Sequence, residues 1–153
     1  LATGQPDAAL DGVYKLSEVN GEPKIKLSEN IQKVTLPGIK QVYRYTDDAG
    51  CFIADAIALD KEAFPDKMIH PYDTEKTMML DVSNASPLLN KIMENGKSLL
   101  QDYHPKEVAT FVKNRLLQLP DEHKRFNNPH IYKVGISESL HQLRSDLRRK
   151  YKI

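Results

Sequence analysis

The stretch "KQVYRYTDDAGCFIADAIAL", residues 40–59, decides the fold class. Its first half carries Val42, Tyr43 and Tyr45, β-branched and aromatic side chains that fit a pleated, half-buried surface. Asp47, Asp48 and Gly50 follow, residue types that tolerate turn geometry. From Cys51 to Leu59 the residues are mostly apolar, as in a strand with much of its surface covered. Two such runs joined by a short polar turn predict an antiparallel hairpin.

A second hairpin is predicted upstream. Residues 12–19, "GVYKLSEV", alternate weakly, and Asn20-Gly21 is a two-residue turn signal because both types accept positive φ. "KIKLS", residues 24–28, alternates cation and aliphatic side chain and predicts the returning strand. Residues 28–34 read as irregular or as one helical turn, Pro37-Gly38 as a turn, and residues 1–11 as loop. Lys26, Lys33 and Lys40 recur at every seventh position through this region. Lysine is a compact cation suited to phosphate oxygens, and it is also the residue with which solvated strand edges resist aggregation.

Downstream, residues 60–77 are polar, with Pro65 and Pro71, and predict a linker or long loop. "TMMLDV", residues 77–82, predicts a strand. Asn95-Gly96 again marks a hairpin tip, with a short helix from Pro87 as the competing reading. Pro105 suits a first helical position, and Val108, Phe111, Val112, Leu116 and Leu119 share one helical face before Pro120 ends the helix. Ser137 is placed to cap a second helix with the stripe Leu140, Leu143, Leu147 and Tyr151. Arg148, Arg149, Lys150 and Lys152 gather at its end, where the helix dipole favours cations. The class is α+β: antiparallel strands and hairpins in the N-terminal half, helices packing in the C-terminal half.

With 153 residues, the chain is long enough for one domain, or one domain and a piece of another. Its 22 basic and 21 acidic side chains nearly cancel, so no global field draws it to nucleic acid or membrane. One cysteine, Cys51, excludes an internal disulfide framework and suits a reducing compartment. With no long apolar run and no secretory leader pattern, the expectation is a cytoplasmic protein. Leu1 is not a residue left by removal of an initiator methionine, which suggests a polypeptide that starts inside a longer one.

The side chains suggest little chemistry. His70, His104, His123, His130 and His141 share no metal-ligand spacing, so no metal site is expected. Cys51 has no local histidine or helix start to activate it. Phosphate loops, dinucleotide fingerprints and nucleophile elbows are absent, and no catalytic residue is assigned.

One resemblance adds to this. Gly12-Val13-Tyr14-Lys15-Leu16, Lys26-Leu27-Ser28-Glu29, Lys33, Pro37-Gly38, Lys40 and Arg44 resemble the region that follows the barrel in nicotinate phosphoribosyltransferases. The similarity continues through Asn95-Gly96-Lys97, Leu119-Pro120, Lys124-Arg125, Asn128-Pro129-His130 and Tyr132-Lys133-Val134, nearly the whole chain.

The resemblance implies an enzyme that converts nicotinate, phosphoribosyl pyrophosphate and ATP, with Mg²⁺, to nicotinate mononucleotide in NAD salvage. It implies a parallel barrel, a smaller α/β domain and an appended C-terminal domain. By this likeness residues 1–36 form the post-barrel segment of the catalytic region and residues 37–153 the C-terminal α+β domain. The family's Gly-rich phosphate loop would lie just ahead of Leu1, and its phosphorylatable histidine further upstream. Thr3, Lys26 and Lys33 are the substrate-binding candidates the likeness leaves. The expectation is a C-terminal fragment, inactive and structural alone, binding no cofactor. Its partners would be the rest of its own polypeptide and a homodimer mate, with no nucleic acid or membrane. The alternative is an independent binding or regulatory module that shares only this domain.

Overall fold

The computed structural model describes residues 14–28, 34–100 and 104–151. Its chain order is β1 (Glu18–Val19), β2 (Glu22–Pro23), β3 (Lys40–Thr46), β4 (Phe52–Leu59), β5 (Lys67–Ile69), β6 (Thr77–Met79), β7 (Ala85–Pro87), β8 (Met93–Glu94), β9 (Lys97–Ser98), α1 (Pro105–Leu117), β10 (Lys133–Ile136) and α2 (Glu138–Tyr151). Six strands form one sheet in the order β6-β5-β10-β4-β3-β7, and β1-β2 and β8-β9 are separate two-stranded hairpins. The α+β class holds.

The β3–β4 hairpin is the spine of the sheet. Tyr43 lies opposite Ala56 and Tyr45 opposite Ala54, so large rings fill the space that small residues leave on one face. Tyr43, Tyr45, Ala54, Ala56, Ala58, Met68 and Leu80 are buried together there. The Tyr45 hydroxyl donates to the Pro65 carbonyl at 2.6 Å, and Phe64 meets Tyr43 edge-on at 4.8 Å. These contacts fold the segment after β4 back over the Tyr/Ala face. On the opposite face Ile69, Ile136 and Leu140 are buried with Leu36, Ile57 and Leu59 around them. There α2 is the cover, capped by Ser137, whose Oγ accepts from the Leu140 N–H at 3.2 Å.

Both Asn-Gly turns form as the sequence predicts. Asn20 and Gly21 have φ of 51° and 77°, and Asn95 and Gly96 have 50° and 76°. Pro87 ends a strand, so the competing helix is not present. Several expectations need correction. The strand predicted over residues 24–28 is not one: pairing stops at Pro23, and the Lys24 N–H donates to the Ser17 carbonyl at 2.9 Å. The predicted linker of residues 60–77 contains β5, antiparallel to β6. Lastly, β10 enters the middle of the sheet from the C-terminal half, parallel to β4. The predicted strand over residues 77–82 stops at Met79, and a 3₁₀ turn, Val82–Asn84, follows.

Candidate functional site

Of the predicted binding residues, Thr3 and Lys33 lie outside the described residues. Lys26 is exposed in an irregular segment, where its carbonyl accepts from the Thr35 N–H at 3.5 Å. Lys40, the third of the lysine series, turns inward. Its ammonium donates to the Leu36 carbonyl at 2.8 Å and also to the Gly38 carbonyl, and burial lowers its pKa. It closes the Pro37-Gly38 turn, so it is not a solvated edge cation.

A polar cluster lies on the α2 face of the sheet. Arg44 grips Asp55 across the β3–β4 ladder with two bonds, 2.9 and 2.7 Å, and the Tyr132 hydroxyl donates to the same carboxylate at 3.1 Å. Burial, then the Asp55 charge, holds the Tyr132 phenol well above its ordinary pKa, so it remains a donor. The Arg44 guanidinium lies 4.2 Å over the Phe52 ring, with Arg115 4.8 Å from the same ring. Every strong group here is held by another, and the cluster locks the entry to β10 onto the hairpin.

Several other polar side chains are similarly engaged. Ser137 Oγ donates to Glu62 Oε2 at 2.8 Å while capping α2, and the same Glu62 oxygen accepts from the Leu59 N–H at 3.1 Å. Arg144, only 6% exposed, donates to the Pro71 carbonyl at 2.8 Å. Among the described residues no three His, Cys, Asp or Glu side chains converge as a metal site would need.

A shallow concavity of about 700 Å³ runs along α2 beside Ile69, His141 and Leu143, and a more enclosed one of about 650 Å³ lies at the β5–β10 seam. The latter opens where β5 peels away from β10, since Ile136 opposite Ile69 is their single register pair. Leu36, Ile57 and Ile136 lie among its apolar walls, and His70, Lys76 and Lys133 contribute polar ones. His70 Nδ1 accepts from the backbone N–H groups of Tyr72 and Asp73 at 3.3 and 3.0 Å. That places any ring proton of a neutral His70 on Nε2. Lys76 is paired with Asp73 at 2.8 Å. The notch has no nucleophile–base pair, and its mostly apolar walls suit packing better than proton transfer. Sequence reasoning missed it because much of its wall comes from β5 and β10, strands it did not predict.

A family model described as nicotinate phosphoribosyltransferase C-terminal domain matches residues 39–144. The chain is similar to the nicotinate phosphoribosyltransferase of Caenorhabditis elegans, 33% identical over 148 residues that cover 93% of this chain and 26% of that protein. It is also similar to the Bacillus subtilis nicotinate phosphoribosyltransferase, 33% identical, covering 90% of this chain and 30% of that one. The crystal structure of human nicotinic acid phosphoribosyltransferase superposes with a TM-score of 0.77 at 29% identity, over 91% of this chain and 27% of the human chain. The chain thus spans about a quarter of the length of the curated relatives it matches.

Proposed function

We propose, from the premise that the chain belongs to the nicotinate phosphoribosyltransferase C-terminal domain family, that it is the structural C-terminal part of an enzyme making nicotinate mononucleotide for NAD salvage. Residues 1–36 would complete the catalytic region after the barrel, and residues 37–153 would form the appended domain. Nicotinate, phosphoribosyl pyrophosphate, ATP and Mg²⁺ would bind in the rest of the polypeptide, with Thr3, Lys26 and Lys33 as the nearest contacts from this part. The compartment would be the cytoplasm, in keeping with a single free cysteine.

One observation carries the structural reading: apart from Thr35, whose Oγ1 is buried without a partner, the buried polar side chains of the described residues are spent on the fold. Arg44, Asp55 and Tyr132 satisfy one another, as do Ser137 and Glu62. Phosphoribosyl transfer needs a pyrophosphate leaving group cradled by amides, cations and metal while charge develops. It also needs the pyridine carboxylate held in line at the anomeric carbon. Neither arrangement exists among these side chains.

The test is reconstitution. This chain alone, given nicotinate, phosphoribosyl pyrophosphate, ATP and Mg²⁺, is expected to form no nicotinate mononucleotide. Fused in place of the corresponding segment of a full-length relative, it is expected to support formation of that product. Product from the chain alone, or an inactive fusion that folds, would overturn the proposal.

A further inference from the structure

We propose that the apolar face of α1, formed by Val108, Phe111, Val112 and Leu116, is the seat on which the larger, upstream part of a nicotinate phosphoribosyltransferase polypeptide docks. The proposal rests on the reading that this chain is that enzyme's C-terminal part, and it adds which surface joins the two.

The helix is well specified locally, yet none of the described residues buries it. Pro105 opens it, and His104 and Glu107 form a reciprocal capping box. Nonetheless α1 buries none of its residues, and Val108, Phe111, Val112 and Leu116 are 46, 64, 48 and 52% exposed. A helix of 13 residues without tertiary burial is marginal in water, because most helical stability comes from a packed apolar face. A contiguous apolar arc of this kind marks an interaction surface.

The attachments of α1 to the sheet are all at its C-terminal end. The Phe52 N–H donates to the Gln118 carbonyl at 2.8 Å, and Gln118 Nε2 donates to the Gly50 carbonyl at 3.1 Å. Arg115 stacks on Phe52 and donates to Gln118 at 2.8 Å. The helix therefore stands on the β3–β4 turn and presents its remaining length outward.

Two observations select the occupant. Most of the length of the matched relatives lies outside the aligned segment, so a large polypeptide partner exists within one molecule of the family. The helix carries Lys106, Lys113 and Arg115 against Glu107 alone. Two copies of the helix would each bring a net positive charge to the contact, whereas a partner with an apolar centre and carboxylates at its rim complements it.

Hydrogen exchange tests the assignment, comparing this chain alone with the fusion in which it replaces the C-terminal part of a full-length relative. The α1 amides are expected to exchange about tenfold or more slowly in the fusion than in the isolated chain. Val112→Asp in the fusion should restore fast exchange in α1 while β4 and α2 stay protected. Asn114→Asp, on the opposite arc, should not. Equal α1 exchange in both proteins would overturn the proposal. So would protection in the isolated chain that grows with protein concentration, which would make a second copy the occupant. An inactive fusion with a protected α1 refutes the functional reading and leaves the docking face standing. An active fusion with an unprotected α1 does the reverse.

Discussion

Gly135 is a glycine for want of room. A Cβ built there would sit 2.7 Å from Met68 Sδ and 2.8 Å from both Met68 Cβ and Cγ. Because Met68 Cβ is not the free end of its side chain, rotation cannot clear the contact, and Met68 is itself 6% exposed. Gly135→Ala should therefore cost about 1–3 kcal/mol by overpacking. Urea denaturation would measure it. Adding Met68→Ala should bring the total below the sum of the two single losses, since the two share one space. The candidate site was only partly legible at this scale. The lysine periodicity was visible, but the fate of Lys40 depended on carbonyls that the Pro37-Gly38 turn aims at it. The Arg44–Asp55 grip needed the strand register, which a sequence of two hairpins leaves open until the turn is placed.

At the scale of elements, α1 and α2 look alike in sequence, each with an opening signal and an apolar stripe. The structure gives them opposite standing: α2 buries Leu140 at 0% exposure, and α1 buries nothing. In the isolated chain Leu140→Ala should cost about 2–5 kcal/mol, the lost transfer plus the cavity left. Val112→Ala should leave stability within about 0.5 kcal/mol, because a side chain already in water loses little. Paired denaturation midpoints decide it, and comparable losses would show that α1 is covered in solution. Periodicity reports that a face is apolar and is silent on what meets it. The Asn-Gly hairpins were legible because their turn geometry is decided by adjacent residues. By contrast β5 has three residues and pairs with β6 across a loop that reads as polar and proline-bearing, while β10 has four and is held by β4, far back in the chain, so no local pattern announces either.

The whole molecule divides into a part that holds itself together and a part that hangs from it. The sheet closes only when β10, from the C-terminal third, settles between β4 and β5, and α2 covers that seam. The β8–β9 hairpin contributes nothing to this closure. All four of its strand residues are exposed, and it pairs only with itself. Its ends are already joined at the base, where the Leu99 N–H donates to the Ile92 carbonyl at 2.9 Å. Deleting Met93, Glu94, Lys97 and Ser98 while keeping Asn95-Gly96 shortens the hairpin to its turn without parting those ends. The upstream anchor is untouched, because the Leu88 N–H still donates to the Val42 carbonyl at 2.8 Å and Leu89 still exchanges bonds with Gln41. The shortened chain should unfold within about 0.5 kcal/mol of the intact one, as expected for changes that touch no buried contact. A loss of several times that, read from urea midpoints at equal slope, would mean the hairpin packs on the sheet in solution. The division between core and pendant elements would then be wrong.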